Sequence, residues 1–170
     1  MARMLEGFYR GLLYLAALFM VLTLVTILLG VAGRQFGFDI PGLDAYAGYS
    51  IAGALFLALP AALRSGDHIR VTLLFNKLTG TPKKIAEYWC LSVASAMTVY
   101  LAYYAIRLAW VSYTTHDVSP AADATPLWIP QLTMAVGSIG LAIAFLEDLA
   151  RKVFDHERIL VPSAEMARVE

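Results

Sequence analysis

The chain has 170 residues, of which 59% are hydrophobic and only 15% charged, and its formal net charge is zero. This composition excludes an ordinary soluble domain, and the absence of a basic excess gives no reason to expect nucleic-acid binding. The single cysteine, Cys90, excludes an internal disulfide.

Four stretches without a charged residue organise the chain. They run 11–33, 45–63, 88–106 and 124–146. A bilayer core about 30 Å thick requires roughly 20 helical residues, and each stretch is close to that length. The sequence therefore predicts an all-α integral membrane protein with four transmembrane helices in a single domain, 1–152, followed by a tail, 153–170.

The first stretch could be a secretory signal peptide, because arginines precede it and small residues close it. An uncharged run from position 11 to position 33 is longer than the apolar core of such a peptide, so we interpret it as an uncleaved helix. One of its faces carries Thr23, Thr26, Gly30 and Gly33. Such a face serves either to dock a partner or to pack within the chain.

The second stretch follows a turn at Pro41-Gly42, and Asp44 is placed to cap its helix. Pro60, near its other end, is expected to end or kink the helix. Beyond it, the segment 70–78 has apolar residues at the spacing of one helical face, which are Val71, Leu74, Phe75 and Leu78. Arg70 flanks this face, so the segment is predicted to be a short amphipathic helix on the membrane surface, in contact with lipid headgroups. An ordinary connector is the alternative.

The third stretch ends in an aromatic face on which Tyr100, Tyr103, Tyr104 and Arg107 line up. Arg107 either reaches to the headgroup region or pairs with an acid on a partner helix. The fourth stretch carries a second small-residue face, with Thr133, Gly137, Gly140 and Ala144. Again docking and internal packing are both possible. Glu147–Arg151 and Asp148–Lys152 follow as acid-to-base pairs four residues apart.

The distribution of cations predicts orientation. If the four spans alternate, every Lys and Arg except Arg34 and Arg107 lies on the side of the two termini. Bacterial membrane proteins keep such an excess in the cytoplasm. We therefore expect both termini to be cytoplasmic.

The spans contain no candidate for catalysis or ligand binding. The three histidines, His68, His116 and His156, lie outside them, and no central charged residue marks an ion path. No metal-ligand spacing or phosphate-binding glycine loop occurs. The residues predict no catalytic, substrate-binding or metal site and no cofactor.

The segment Ala61-Ala62-Leu63-Arg64-Ser65-Gly66-Asp67-His68-Ile69-Arg70-Val71 resembles the signature of a known family. It is similar to the small membrane subunit of tripartite ATP-independent periplasmic (TRAP) transporters, often described as DctQ- or SiaQ-like. Arg34 ends the first span as in that family, Asp44 opens the second where members more often have Glu, and Thr125–Pro130 resembles the family's proline-rich start of the fourth helix. The likeness covers roughly residues 5–152.

The resemblance implies a bacterial inner-membrane complex of three parts. A periplasmic binding protein captures an organic acid, a large multi-span membrane subunit moves it inward with sodium, and the small subunit braces the large one and helps to form the docking surface. Candidate residues for partner contact or positioning are Arg34, Asp44, Arg64, His68, Arg70 and Arg107. Headgroup contact, capping or an internal hydrogen bond is the alternative role for each.

Two other classes of function remain for comparison. One is a membrane anchor for a redox enzyme, against which the placement of the histidines weighs. The other is a small independent transporter working as a homo-oligomer, against which the lack of charge within the spans weighs.

Overall fold

A computed structural model describes residues 2–38, 40–65, 81–122 and 124–154. It contains four long helices: α1 is Ala2–Phe36, α2 is Leu43–Ser65, α3 is Thr81–Thr114 and α4 is Trp128–Val153. All four are long and apolar enough to cross a membrane. The prediction of an all-α membrane protein with four transmembrane helices is confirmed. The segment 70–78 and the tail lie outside the described residues.

The helices extend beyond the uncharged stretches because charged residues end a transmembrane span without ending a helix. In α3 the helix continues through Lys83 and Lys84 at one end and Arg107 at the other. The start of α4 is an exception, because it lies inside the uncharged stretch 124–146 and not before it. This helix begins at Trp128 because the preceding Pro126 pairs with Val118 in an isolated β-bridge.

The helices pack as an open row in the order α1, α2, α4, α3. Among the described residues the extensive pairings are α1 with α2, α2 with α4, and α4 with α3. No fourth extensive pairing closes these described helices into a ring. The edge helices α1 and α3 therefore leave a broad apolar face uncovered.

The helices end on two sides of the row, the termini side and the opposite side. The termini side carries Ala2 of α1, Ser65 of α2, Thr81 of α3 and Val153 of α4. The opposite side carries the turn between α1 and α2 and the loop between α3 and α4. Near the termini side, Tyr9, Leu63, Leu141 and Ala144 form one apolar cluster, and Leu12, Ala16 and Leu57 form a second beside it.

Small residues bring α4 and α2 close together. Gly137 lies against the backbone of Phe56, so closely that a Cβ on residue 137 would collide with the Phe56 carbonyl. Pro60 has no N–H, so it cannot donate the usual helical hydrogen bond to that same carbonyl. Pro60 is buried and α2 continues past it to Ser65, so the proline does not end the helix.

The contact between α3 and α4 depends on a stripe of small residues. The buried positions of α3 recur three and four residues apart: Ser95, Thr98, Ala102, Ala105, Ala109 and Ser112. Ser95 Oγ also donates a hydrogen bond of 3.4 Å to the carbonyl of Phe145 in α4. Alternating three- and four-residue spacing is the pattern of helices that cross at a shallow angle. The sequence pattern does not predict this stripe.

Candidate functional site

The opposite side brings Arg34 and Asp44 together. Gly37 and Gly42 adopt positive φ angles of 72° and 83° in the turn that joins α1 to α2. This turn sets Arg34 Nη2 3.9 Å from Asp44 Oδ1, with side chains 78% and 96% exposed. Asp44 lies in the first turn of α2, one residue inside the helix start at Leu43, rather than at the capping position. Because both side chains face outward, the pair is accessible to another molecule.

The loop between α3 and α4 is tied to the same surface. Thr125 Oγ1 donates a hydrogen bond of 3.3 Å to Tyr46 Oη of α2. At the base of the loop, the rings of Tyr113 and Trp128 meet edge to face with centroids 5.7 Å apart. This hydrogen bond therefore ties the α3–α4 loop to the start of α2, the helix that carries Asp44.

On the termini side, Arg64 is held between α2 and α1. Its guanidinium carbon lies 4.4 Å from the centroid of the buried Tyr9 ring. Arg64 Nη1 is itself buried and has no hydrogen-bond partner among the described residues. The stacking fixes the plane of the guanidinium group, and the described residues leave this donor without an acceptor.

A polar network also links three helices on the termini side. Glu147 of α4 forms an ion pair with Arg151 and accepts a 3.5 Å hydrogen bond from Tyr9 Oη of α1. Lys152 pairs with Glu87 of α3. The sequence spacing predicts the pairing of Glu147 with Arg151, but it does not predict the contact between Lys152 and Glu87. Alternation of the four spans is the sequence feature that indicates this contact, since it puts both residues on one side of the membrane.

Arg107 lies on the exposed face of α3. Its guanidinium carbon is 5.9 Å from the Tyr104 ring centroid, and that ring stacks on Tyr100 at 4.5 Å. Within the described part of the chain Arg107 makes no ion pair. Both predictions for it therefore stand: contact with the headgroup region, or pairing with an acid of another chain.

The remaining candidates, His68 and Arg70, lie outside the described residues, as does the predicted surface helix. Of the described part, no group of three or more His, Cys, Asp or Glu side chains comes together as a metal ion requires. The charged residues of the four helices lie towards the helix ends. The structure therefore places its candidate functional residues on surfaces at the two sides of the membrane.

Comparison with protein families gives one match. Residues 22–155 match the model of the family described as tripartite ATP-independent periplasmic transporters, DctQ component. This chain belongs to the DctQ family. The match covers all of α2, α3 and α4 and the part of α1 from residue 22 to Phe36. No curated protein sequence matches the chain. As a DctQ component it is part of a transporter, and its resemblance to that family, carried by the segment around Arg64, is confirmed.

Proposed function

We propose that this DctQ chain is the small, non-catalytic membrane subunit of a sodium-coupled TRAP transporter for an organic acid. In this proposal it forms a heterodimer with a large multi-span subunit, braces that subunit in the bilayer, and helps to dock a periplasmic binding protein. The observation that carries the proposal is the family match over residues 22–155. Sodium coupling and the organic-acid substrate follow from the resemblance to the family.

The open row supports the bracing role. Its edge helices expose large apolar side chains, among them Leu18, Leu24 and Leu28 of α1 and Met97 and Leu101 of α3. Helices associate in lipid through close packing and interhelical hydrogen bonds rather than through exclusion of water. A row that is fixed at its centre and uncovered along its edges offers two such packing faces to a larger subunit.

The docking role is assigned to the opposite side. The exposed Arg34–Asp44 pair lies there, and Thr125 and Tyr46 tie the α3–α4 loop to α2 on the same side. With both termini cytoplasmic in a bacterial inner membrane, this surface faces the periplasm. The cation distribution supports that orientation, because the sequence pattern leaves only Arg34 and Arg107 on the periplasmic side.

Labelling of intact cells tests the orientation. In a Cys90→Ser background, Ala122→Cys in the exposed α3–α4 loop should react with a membrane-impermeant thiol reagent, whereas Ser163→Cys in the tail should not. Equal labelling of both would contradict the four-span arrangement with cytoplasmic termini.

Reconstitution tests the division of labour. Liposomes with an inward sodium gradient receive this chain alone, the large subunit alone, or both, each with the binding protein and a panel of organic acids. Uptake is expected only when both membrane chains and the binding protein are present. Uptake by this chain alone would instead establish the independent transporter, and haem absorbance in the purified chain would support the redox anchor.

A further inference from the structure

A cleft opens between α1 and α2 on the termini side. Its volume is about 320 Å³. The cleft is lined by two arginines, one acid and four uncharged residues, which are Arg10, Arg64, Glu6, Tyr9, Leu13, Ala61 and Ser65. The cleft is therefore a polar recess at the boundary of the membrane-spanning segments, large enough for a phosphate group and part of its ester.

Arg64 lines this cleft, and one of its donors lacks a partner among the described residues. Stacking on Tyr9 at 4.4 Å holds its guanidinium plane, and the donor in question is the buried Nη1. Buried N–H groups of charged side chains are nearly always satisfied, because leaving one unpaired is costly. Among the described residues, this guanidinium group therefore keeps unused hydrogen-bonding capacity at the wall of the cleft.

The charge of the cleft selects an anion. Arg10 Nη2 lies 2.8 Å from Glu6 Oε1 in an exposed pair, so one positive charge is compensated locally and that of Arg64 is in excess. Two guanidinium groups in one recess match the oxygens of a phosphate group, to which arginine donates in a fixed fork.

The apolar surface next to the cleft favours a lipid over a free anion as the ligand of the cleft. Starting at Arg10, exposed residues of α1 descend towards mid-membrane at helical spacing: Leu13, Ala17, Met20 and Leu24. An acyl chain attached to a phosphate in the cleft would lie along this apolar track. The polar end and the apolar track meet at Leu13, which lines the cleft and belongs to both.

We infer that this cleft binds the headgroup of an anionic phospholipid, with Arg64 and Arg10 as donors to its phosphate. The inference goes beyond the transporter role and needs only that the chain lies in a membrane. Because it concerns binding to this chain alone, a failed transport experiment would leave it standing, and its own failure would leave the transporter role standing.

Native mass spectrometry of the full chain, purified in detergent and stripped of lipid, tests the site. Phosphatidylglycerol should bind more tightly than the zwitterionic phosphatidylethanolamine. Arg64→Gln should weaken phosphatidylglycerol binding about tenfold, since a charge-assisted hydrogen bond to the phosphate is lost. Arg64→Lys should recover only part of the affinity because lysine lacks the planar fork.

Arg34→Gln is the matched control, since it removes one equally charged side chain from the other side of the protein, where Arg34 pairs with Asp44, and it should leave lipid binding unchanged. Arg10→Gln provides a second variant at an exposed position where folding is not at risk, and about threefold weaker binding is expected. Helicity measured by circular dichroism without lipid should be the same in every variant compared.

Three outcomes would overturn the inference. One is an equal loss of affinity in Arg64→Gln and Arg34→Gln, which would indicate nonspecific attraction. Another is displacement of the lipid by excess inorganic phosphate, which would indicate a site for a small anion. The last is unchanged lipid binding in both Arg10→Gln and Arg64→Gln, together with weaker association of Arg64→Gln with the large subunit, which would assign the missing acceptor to a carboxylate of that subunit.

Discussion

The small-residue faces of α1 and α4 have similar sequence patterns and different environments. On α4, Gly137 lies against the Phe56 backbone, and a Cβ on Gly140 would come within 2.8 Å of Leu12 and 2.9 Å of Pro60. On α1, a Cβ on Gly30 would meet nothing within 4 Å. The same spacing therefore marks a close contact between helices at Gly137 and Gly140 and, at Gly30, a half-buried position with open space around it.

Position in the row explains this difference. Because α4 lies between α2 and α3, it must present close-packing surfaces in two directions, and its buried residues are mostly small: Ala135, Gly137, Ser138, Gly140, Ala142 and Ala144. The hydroxyls of Thr23 and Thr26, on the edge helix α1, donate back to carbonyls of their own helix. Thr23 is nevertheless buried and Thr26 half-buried, so this face of α1 lies inward, and the open space on it is at Gly30.

The largest expected effect is at Gly137. Gly137→Leu should destabilise the chain by about 3 kcal/mol or more, because the new side chain meets backbone that cannot move aside as a side chain would. Gly30→Leu gains the same helix propensity and should change stability by less than about 0.5 kcal/mol. Unfolding of both variants in detergent, followed by circular dichroism, measures the difference.

The same pair of variants separates internal packing from docking. If the large subunit fills the space beside Gly30, Gly30→Leu should fold normally yet co-purify less well with that subunit. A folded Gly30→Leu chain that assembles at the wild-type level would assign this space to lipid, and equal stability of the two variants would contradict the close contact of Gly137 with Phe56.

A smaller effect is expected where α3 meets α4 on the termini side. Glu87 and Lys152 form a half-buried ion pair, with side chains 30% and 35% exposed. Glu87→Gln should cost about 1 kcal/mol, because it leaves Lys152 without its charged partner. The matched control is Glu6→Gln in the exposed pair with Arg10, which should cost about 0.3 kcal/mol.

A double-mutant cycle with Lys152→Gln tests whether the effect belongs to the pair. A coupling energy near zero, measured by thermal unfolding at low and high salt, would mean that the pair does not hold α3 on α4. The edge helix would then depend on its stripe of small residues alone.

The smallest effect on stability is expected at Asp44. Asp44→Asn should change the unfolding free energy by less than about 0.5 kcal/mol, since the ion pair with Arg34 is almost fully exposed. If this surface docks the binding protein, the affinity for that protein should fall although the fold is intact. Surface plasmon resonance on the reconstituted complex checks this, and unaltered affinity would place the docking contact elsewhere.

The sequence by itself determined the four helices, their membrane class and the family. Uncharged runs of roughly 20 residues admit hardly any other structure in a bilayer, because every backbone N–H and C=O must be paired within the segment. The likeness of Arg64 and its neighbours to a transporter subunit also required no coordinates. These conclusions depend only on the types of neighbouring residues and on the length of the uncharged runs.

Only the tertiary structure decided which faces are internal. The spacing of Gly137 and Gly140 is repeated at Gly30 and Gly33, and nothing local distinguishes the two pairs. The α3 stripe from Ser95 to Ser112 was not recognised, because alanine and serine in an apolar helix carry no signal until a neighbour covers them. The placement of Arg64 Nη1, which has no partner among the described residues, likewise depends on the stacking with Tyr9, which belongs to a different helix. Contacts between distant segments depend on how the helices are ordered in space, and a pattern within one helix does not contain that order.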